Sequence, residues 1–167
     1  MSALNEFLET SYTAYHAVKN TAEYLIANGF SLLSEGEDWN VEEGGKYFVT
    51  RGGSSLIAFS VGALDNGLAF RIAASHADSP TLKLKDNAVF ATGAYEKLNA
   101  ECYGGGIWYS FFDRPLKIAG RIVESEKGVL RSRVVESDYF VTIPSVAVHQ
   151  NRGVNEGFAV NAQTDLC

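Results

Sequence analysis

Two residues with metal-binding chemistry stand two positions apart in the segment AASHADSPTLKLK, residues 73–85. His76 ends an apolar run, and Asp78 follows just before a serine-proline pair. In an extended chain, side chains at i and i+2 project to the same side, so the aspartate can accept a hydrogen bond from one ring nitrogen. The other nitrogen is then oriented as a metal ligand. A plain structural hydrogen bond uses the same spacing, so both interpretations stay open at this stage.

Two further segments carry residues that could form a site. YGGGIWYSFFDRP, residues 103–115, has three successive glycines but lacks the context of a phosphate-binding loop, so we expect a close backbone approach beside its aromatic residues. Asp113 and Arg114 could form an ion pair there. IPSVAVHQNRGVNEGF, residues 143–158, carries His149 after an alternating apolar run, which predicts a histidine at a strand end. From these residues alone, a purely structural role for His149 is favoured over a functional one. No nucleophile elbow and no H-E-x-x-H motif occurs in the sequence.

The first element that must position these residues is a helix near the start of the chain. Its apolar face has three- and four-residue spacing, and Thr13 is a suitable N-cap. Asn28-Gly29 supplies a left-handed stop. The apolar face comprises Ala14, Val18, Ala22 and Leu25.

Strands follow the helix. The runs KYFVTR, LIAFSVG and LAFRIAASH are separated by the turn signals RGGSS and LDNG, so an antiparallel meander is predicted to bring His76 to a strand end. From about residue 86 the runs LKIAGRIVES, GVLRSRVVES and SVAVHQ predict a separate β-rich module, with SEKG as the turn between the first two. We therefore expect an α/β segment at 1–85 and a β-rich segment at 86–167.

Composition excludes several classes of partner. A net charge of −6 over 167 residues argues against nucleic acid, which needs a basic patch. No apolar run is long enough to span a bilayer, and the N-terminus does not resemble a signal peptide. Two distant cysteines, Cys102 and Cys167, are expected to be reduced thiols. These features predict a cytoplasmic protein.

Taken together, SHADSPTLKLK, YGGGIWYSFFDRPLKIAGRI and IPSVAVHQNRGVNEGF resemble, in this order, the N-terminal part of the aspartyl aminopeptidase family. SYTAYHAVKNTAEYLIANGF is similar to that family's opening helix. The resemblance implies an α/β fold: the N-terminal part of a zinc-peptidase catalytic domain, with a helix and a β meander, followed by the start of an inserted β-rich dimerisation domain. Ala77, Tyr109 and Phe111 depart from the residues usual in that family.

The resemblance also implies a function. The family consists of cytosolic metallo-aminopeptidases with two zinc ions, which release single, often acidic, residues from peptide N-termini. They form dimers that build tetrahedral dodecamers. By position, His76 would be a zinc ligand and Asp78 the active-site carboxylate that orients it. His149 would bind substrate in the neighbouring subunit's active site.

The family's remaining metal ligands are expected beyond residue 167, and zinc needs about three protein ligands. The chain is therefore expected to be an incomplete, inactive portion of such an enzyme. The alternative is a non-catalytic module that serves oligomerisation or assembly.

Overall fold

The computed structural model describes residues 2–63, 67, 69–157 and 159–166. The chain divides into two compact units, which are described separately: unit 1 is Met1–Ser79 with Ala119–Glu136, and unit 2 is Pro80–Ile118 with Ser137–Cys167. The predicted domain boundary at 85/86 stays a prediction. None of the helices in the described ranges combines the length and the hydropathy that a membrane-spanning helix requires. The elements are α1 (Ala3–Thr10), α2 (Ala14–Ala27), β1 (Ser31–Leu32), β2 (Lys46–Arg51), β3 (Ser55–Ser60), β4 (Thr81–Thr92), β5 (Tyr95–Tyr103), a 3-10 helix (Trp108–Phe111), β6 (Leu116–Glu126) and β7 (Val129–Val141).

Helix α2 confirms the sequence prediction at both ends. The Thr13 hydroxyl accepts a hydrogen bond from the His16 backbone N–H at 3.4 Å, which satisfies one of the unpaired donors at the helix start. Gly29 adopts a φ of 80°, the left-handed conformation that ends a helix at little cost for glycine. Val18 and Leu25 are buried, so the predicted apolar face packs inward.

Helix α1 was not predicted from the sequence. The Ser2 hydroxyl at its start accepts a hydrogen bond from the Asn5 backbone N–H at 3.4 Å. Leu4 and Leu8 are 65% and 62% exposed. The helix has eight residues, none of them buried, and a helix this short is marginal in water on its own. Asn20 of α2 donates to the Thr10 hydroxyl at 3.0 Å and ties the two helices together.

Unit 1 contains a three-stranded sheet in the order β1-β2-β3. Strands β2 and β3 are antiparallel, from Lys46 opposite Ser60 to Arg51 opposite Ser55, and β1 runs parallel to β2. Gly52 and Gly53, at φ 60° and 71°, make the turn predicted from RGGSS. Phe48 of β2 is only 1% exposed and forms the core with α2.

The predicted third strand of the meander is wrong. Part of the LDNG turn lies outside the described residues, and residues 69–80 have no regular secondary structure. Phe70 and Ile72 are 78% and 87% exposed. The β-rich composition of this run predicted a strand. A strand forms only where another strand pairs with it, and no strand among the described residues pairs with this run.

Unit 2 contains an antiparallel pair, β4 and β5, with a register shift between Leu84 and Val89. Gly93 at φ 61° lies in the tight turn that joins the two strands. Strands β6 and β7 form a second two-stranded ribbon, whose turn contains Lys127 and Gly128 at φ 51° and 82°, as SEKG predicts. Residues 119–136, the distal part of this ribbon, belong to unit 1.

One arginine of the ribbon contacts both other parts of unit 1. The guanidinium of Arg121 lies 4.6 Å from the centre of the Tyr15 ring on α2 and donates to the Gly52 carbonyl at 2.8 Å. Stacking and the hydrogen bond together place the distal ribbon on the helix and on the β2–β3 turn.

Candidate functional site

The structure brings His76 and Asp78 together. The ring Nδ1–H of His76 donates to Oδ1 of Asp78 at 2.9 Å. The contact forms at a bend centred on Ala77, in the irregular segment that follows β3, and not at the end of a strand. The predicted pairing is therefore confirmed, while its predicted setting is wrong.

This pair fits a zinc ligand and its supporting carboxylate. A carboxylate only accepts, so the proton is held on Nδ1 and the lone pair is left on Nε2. The His76 side chain is 90% exposed and that of Asp78 is 37% exposed, so Nε2 is open to an incoming ion. Zinc sites commonly use a histidine whose second nitrogen is held in this way.

Among the described residues, the set of metal-binding side chains is incomplete. Among the described residues there is no group of three or more His, Cys, Asp or Glu side chains that could hold a metal ion. Cys102 is a free, partly buried thiol, and Cys167 lies outside the described residues. A catalytic zinc site takes about three protein ligands, so His76 alone could supply only one part of such a site.

His149 lies in a turn of unit 2, whereas His76 belongs to unit 1. The N–H of Gln150 donates to the carbonyl of Ala147 at 2.8 Å, which closes that turn. The predicted strand SVAVHQ is wrong because its backbone groups are used in this turn and in a loop contact upstream. His149 is exposed.

The upstream contact involves Asp113, whose hydrogen bonds were not predicted from the sequence. Its carboxylate accepts from the Ser145 backbone N–H at 2.8 Å, and its own N–H donates to the Ile143 carbonyl at 2.9 Å. Hydrogen bonds from the Ser145 side chain and backbone hold the pKa of Asp113 below its ordinary value. The predicted Asp113–Arg114 ion pair is not among the described contacts. A sequence signal did exist, because aspartate tolerates left-handed backbone and caps nearby N–H groups.

Gly106 of the YGGG segment lies in close packing, as predicted. A Cβ at Gly106 would lie 3.0 Å from the Trp108 ring and 3.1 Å from Pro80, and Gly104 has a φ of 77°. Trp108 and Phe111 contact each other with ring centres 5.8 Å apart. The segment folds against its own aromatic residues.

Comparison with known proteins identifies the family. The model of the aminopeptidase I zinc metalloprotease family, M18, matches residues 7–167. The chain belongs to the M18 family. This confirms the resemblance to aspartyl aminopeptidases, and with it the assignment of the chain to the metallo-aminopeptidases.

M18 relatives match this chain along nearly all of its length. Aspartyl aminopeptidase 1 of Schizosaccharomyces pombe is 44% identical over 166 residues, which cover 96% of this chain and 35% of that protein. Aspartyl aminopeptidase 4 of Saccharomyces cerevisiae is 40% identical over 96% of this chain and 34% of its own length. This chain thus spans about a third of the length of these curated relatives.

Solved M18 structures confirm the α/β fold. The structure of the Ape4 and Nbr1 complex, solved by cryo-electron microscopy, matches with a TM-score of 0.89 at 43% identity and covers 96% of this chain and 31% of that chain. A Chaetomium thermophilum mApe1 structure matches with a TM-score of 0.82 at 30% identity, covering 97% and 38%. The S. cerevisiae mApe1 dodecamer matches with a TM-score of 0.72 at 32% identity, covering 86% and 35%.

Proposed function

We propose that this chain contributes one zinc ligand, His76, to the active site of an M18 aminopeptidase. The observation that carries the proposal is the 2.9 Å contact between His76 Nδ1 and Asp78, which leaves Nε2 exposed in a chain of a zinc-peptidase family. The remaining ligands would come from outside the described residues. Two zinc ions per complete site are part of this proposal.

Zinc, when bound, would activate water near neutral pH and polarise the scissile carbonyl. The role of the chain's own residues is to orient the His76 ring for metal binding. Asp78 keeps the proton on Nδ1 and fixes the plane of the His76 ring. This reduces the number of ring orientations that metal binding must select.

The proposed substrates are peptides with a free N-terminus, often with an acidic first residue. Two curated relatives are named aspartyl aminopeptidases, and this name supports the preference. In the proposed enzyme, His149 contacts substrate in the active site of a neighbouring subunit. Its exposed position in a turn is compatible with a contact across a subunit boundary.

We propose a homo-oligomer, a dimer that builds to a dodecamer, in the cytoplasm. A dodecameric relative supports the assembly. Exposed apolar side chains in both units also support it. Large apolar side chains such as Tyr24, Ile57 and Tyr95 are more than 60% exposed, so further protein is needed to cover them.

The test uses a chimera in which this chain replaces the matching segment of S. pombe aspartyl aminopeptidase 1. We expect the chimera to cleave a peptide with an N-terminal aspartate and the 167-residue chain alone to be inactive, because the chain supplies only part of the donor set. Release of free aspartate is measured, with an N-acetylated peptide as the control. A zinc chelator should abolish turnover, and added zinc should restore it.

Turnover by the isolated chain, free of longer species, would contradict its proposed inactivity. An inactive but correctly assembled chimera would contradict the catalytic proposal. That second result would favour the alternative, a non-catalytic oligomerisation or assembly module, which the large exposed apolar surface also suits. Light scattering of the chimera and of the chain alone separates assembly from catalysis.

A further inference from the structure

The segment FFDRP is joined to the segment that carries His149 by a compact set of backbone contacts. Phe112 forms a parallel β-bridge with Ile143, and the Asp113 N–H donates to the Ile143 carbonyl at 2.9 Å. Two residues further on, the Ser145 N–H donates to the Asp113 carboxylate at 2.8 Å. One residue, Asp113, thus binds the second segment at two points.

The backbone of Asp113 adopts a conformation that few residues accept. Its φ is 55°, in the left-handed region, where a Cβ is crowded and only glycine, asparagine and aspartate are common. This conformation coexists with the two contacts, which compensate for its cost. Glycine would keep the backbone conformation and lose the carboxylate, whereas asparagine would keep both the conformation and an acceptor oxygen.

Residues 143–145, which Asp113 binds, lead directly into the turn that carries His149. Ser145 is two residues before Ala147, whose carbonyl accepts from Gln150 N–H at 2.8 Å and from Asn151 N–H at 3.3 Å. Only one residue, Val146, separates the two fixed points. The start of the histidine turn is therefore held by the Asp113 carboxylate.

We propose that Asp113 is a positioning residue for His149: it fixes residues 143–145 and thereby sets where the His149 turn begins. The inference rests on the proposed function, in which His149 contacts substrate. It assigns a role to the FFDRP segment that neither metal binding nor glycine packing explains.

The first arm of the test uses the 167-residue chain as it is and measures amide hydrogen exchange by peptide. We expect Asp113→Gly to speed exchange in residues 143–151 about tenfold, because a hydrogen bond to a charged acceptor is lost. Asp113→Asn should stay within about threefold of the original chain, since an acceptor oxygen remains. Asp38→Gly, an exposed loop substitution in unit 1, is the matched control, and exchange in β4 and β5 reports whether unit 2 stays folded.

The second arm measures steady-state kinetics in the chimera. We expect Asp113→Gly and His149→Ala each to raise KM for the N-terminal aspartate peptide, with zinc content unchanged. The double variant should lose no more than His149→Ala alone, because Asp113 acts through His149. Asp113→Asn should restore most of the lost kcat/KM.

The outcomes separate the two claims. Unchanged exchange in Asp113→Gly would overturn the positioning inference, whatever the kinetics show. Faster exchange combined with an unaffected KM in His149→Ala would overturn the proposed substrate role of His149 and the functional part of this inference with it. Additive losses in the double variant would overturn the claim that Asp113 acts through His149.

Discussion

At the scale of single residues, the most informative feature is a histidine whose proton position is fixed. His76 donates through Nδ1 to Asp78 at 2.9 Å, so its remaining nitrogen is available as a ligand. The sequence could predict this pair because side chains at i and i+2 can contact each other at a bend as well as in a strand. The other ligands of the proposed zinc site could not be predicted from local spacing, because metal ligands come together through the fold.

A second histidine supports a prediction about pH. His16 lies at the start of α2, with its ring Nδ1 2.8 Å from the Thr13 hydroxyl. Burial lowers the pKa of His16 below its ordinary value of 6.5, with a smaller raising effect from Glu136 and a lowering effect from Lys19. As pH falls through about 6.5, the unfolded chain takes up a proton that the folded ring resists, so stability decreases on acidification.

We expect His16→Gln to weaken this pH dependence. The decrease in melting temperature between about pH 7.5 and about pH 5.5 should be smaller in the variant than in the original chain. Lys19→Gln is the matched comparison: it removes one of the influences that lower the pKa, so it should reduce the decrease without abolishing it. Equal decreases in the original chain and in His16→Gln would contradict the burial of a neutral ring.

At the scale of elements, local signals succeeded where they were self-contained. Helix α2 carries its own cap at Thr13, its apolar face and its glycine stop, and the structure places it at Ala14–Ala27. Strand β2 coincides with KYFVTR because β3 pairs with it through a two-glycine turn. The segments around Phe70 and His149 were misread because apolar alternation says nothing about whether a pairing partner exists.

The ribbon of β6 and β7 gives the prediction that belongs to this scale. Arg121→Ala removes both the stacking on Tyr15 and the hydrogen bond to Gly52. We expect amide exchange in residues 119–136 to rise about 5- to 30-fold, which corresponds to a loss of about 1–2 kcal/mol. Hydrogen exchange by peptide measures this change.

The control for Arg121 is Arg131→Ala, which removes the same charge from the partner strand. Arg131 is paired only with Glu126 at 3.5 Å among the described contacts, and its side chain is 72% exposed. An exposed ion pair of this kind contributes little, so exchange should change less than about threefold. Equal effects of the two substitutions would show that Arg121 does not anchor the ribbon.

At the scale of the whole molecule, buried apolar residues are few and exposed ones are many. The six buried apolar residues in the described part of the chain are Val18, Leu25, Phe48, Val49, Ala100 and Leu166. Helix α2, strand β2 and the family membership were readable from the sequence despite this small core, because each depends on local pattern or motif. The proposed assembly and the proposed zinc site depend on contacts between distant residues, which no local pattern encodes.

The central claim, that His76 is a zinc ligand supported by Asp78, is tested most directly by zinc analysis of the purified chimera. We expect the original chimera to hold about two zinc ions per chain, and His76→Ala to lose at least one of them. Asp78→Ala should bind zinc about 10- to 100-fold more weakly, while Asp38→Ala, an exposed control, should match the original. Full zinc content and full turnover in His76→Ala would contradict the account.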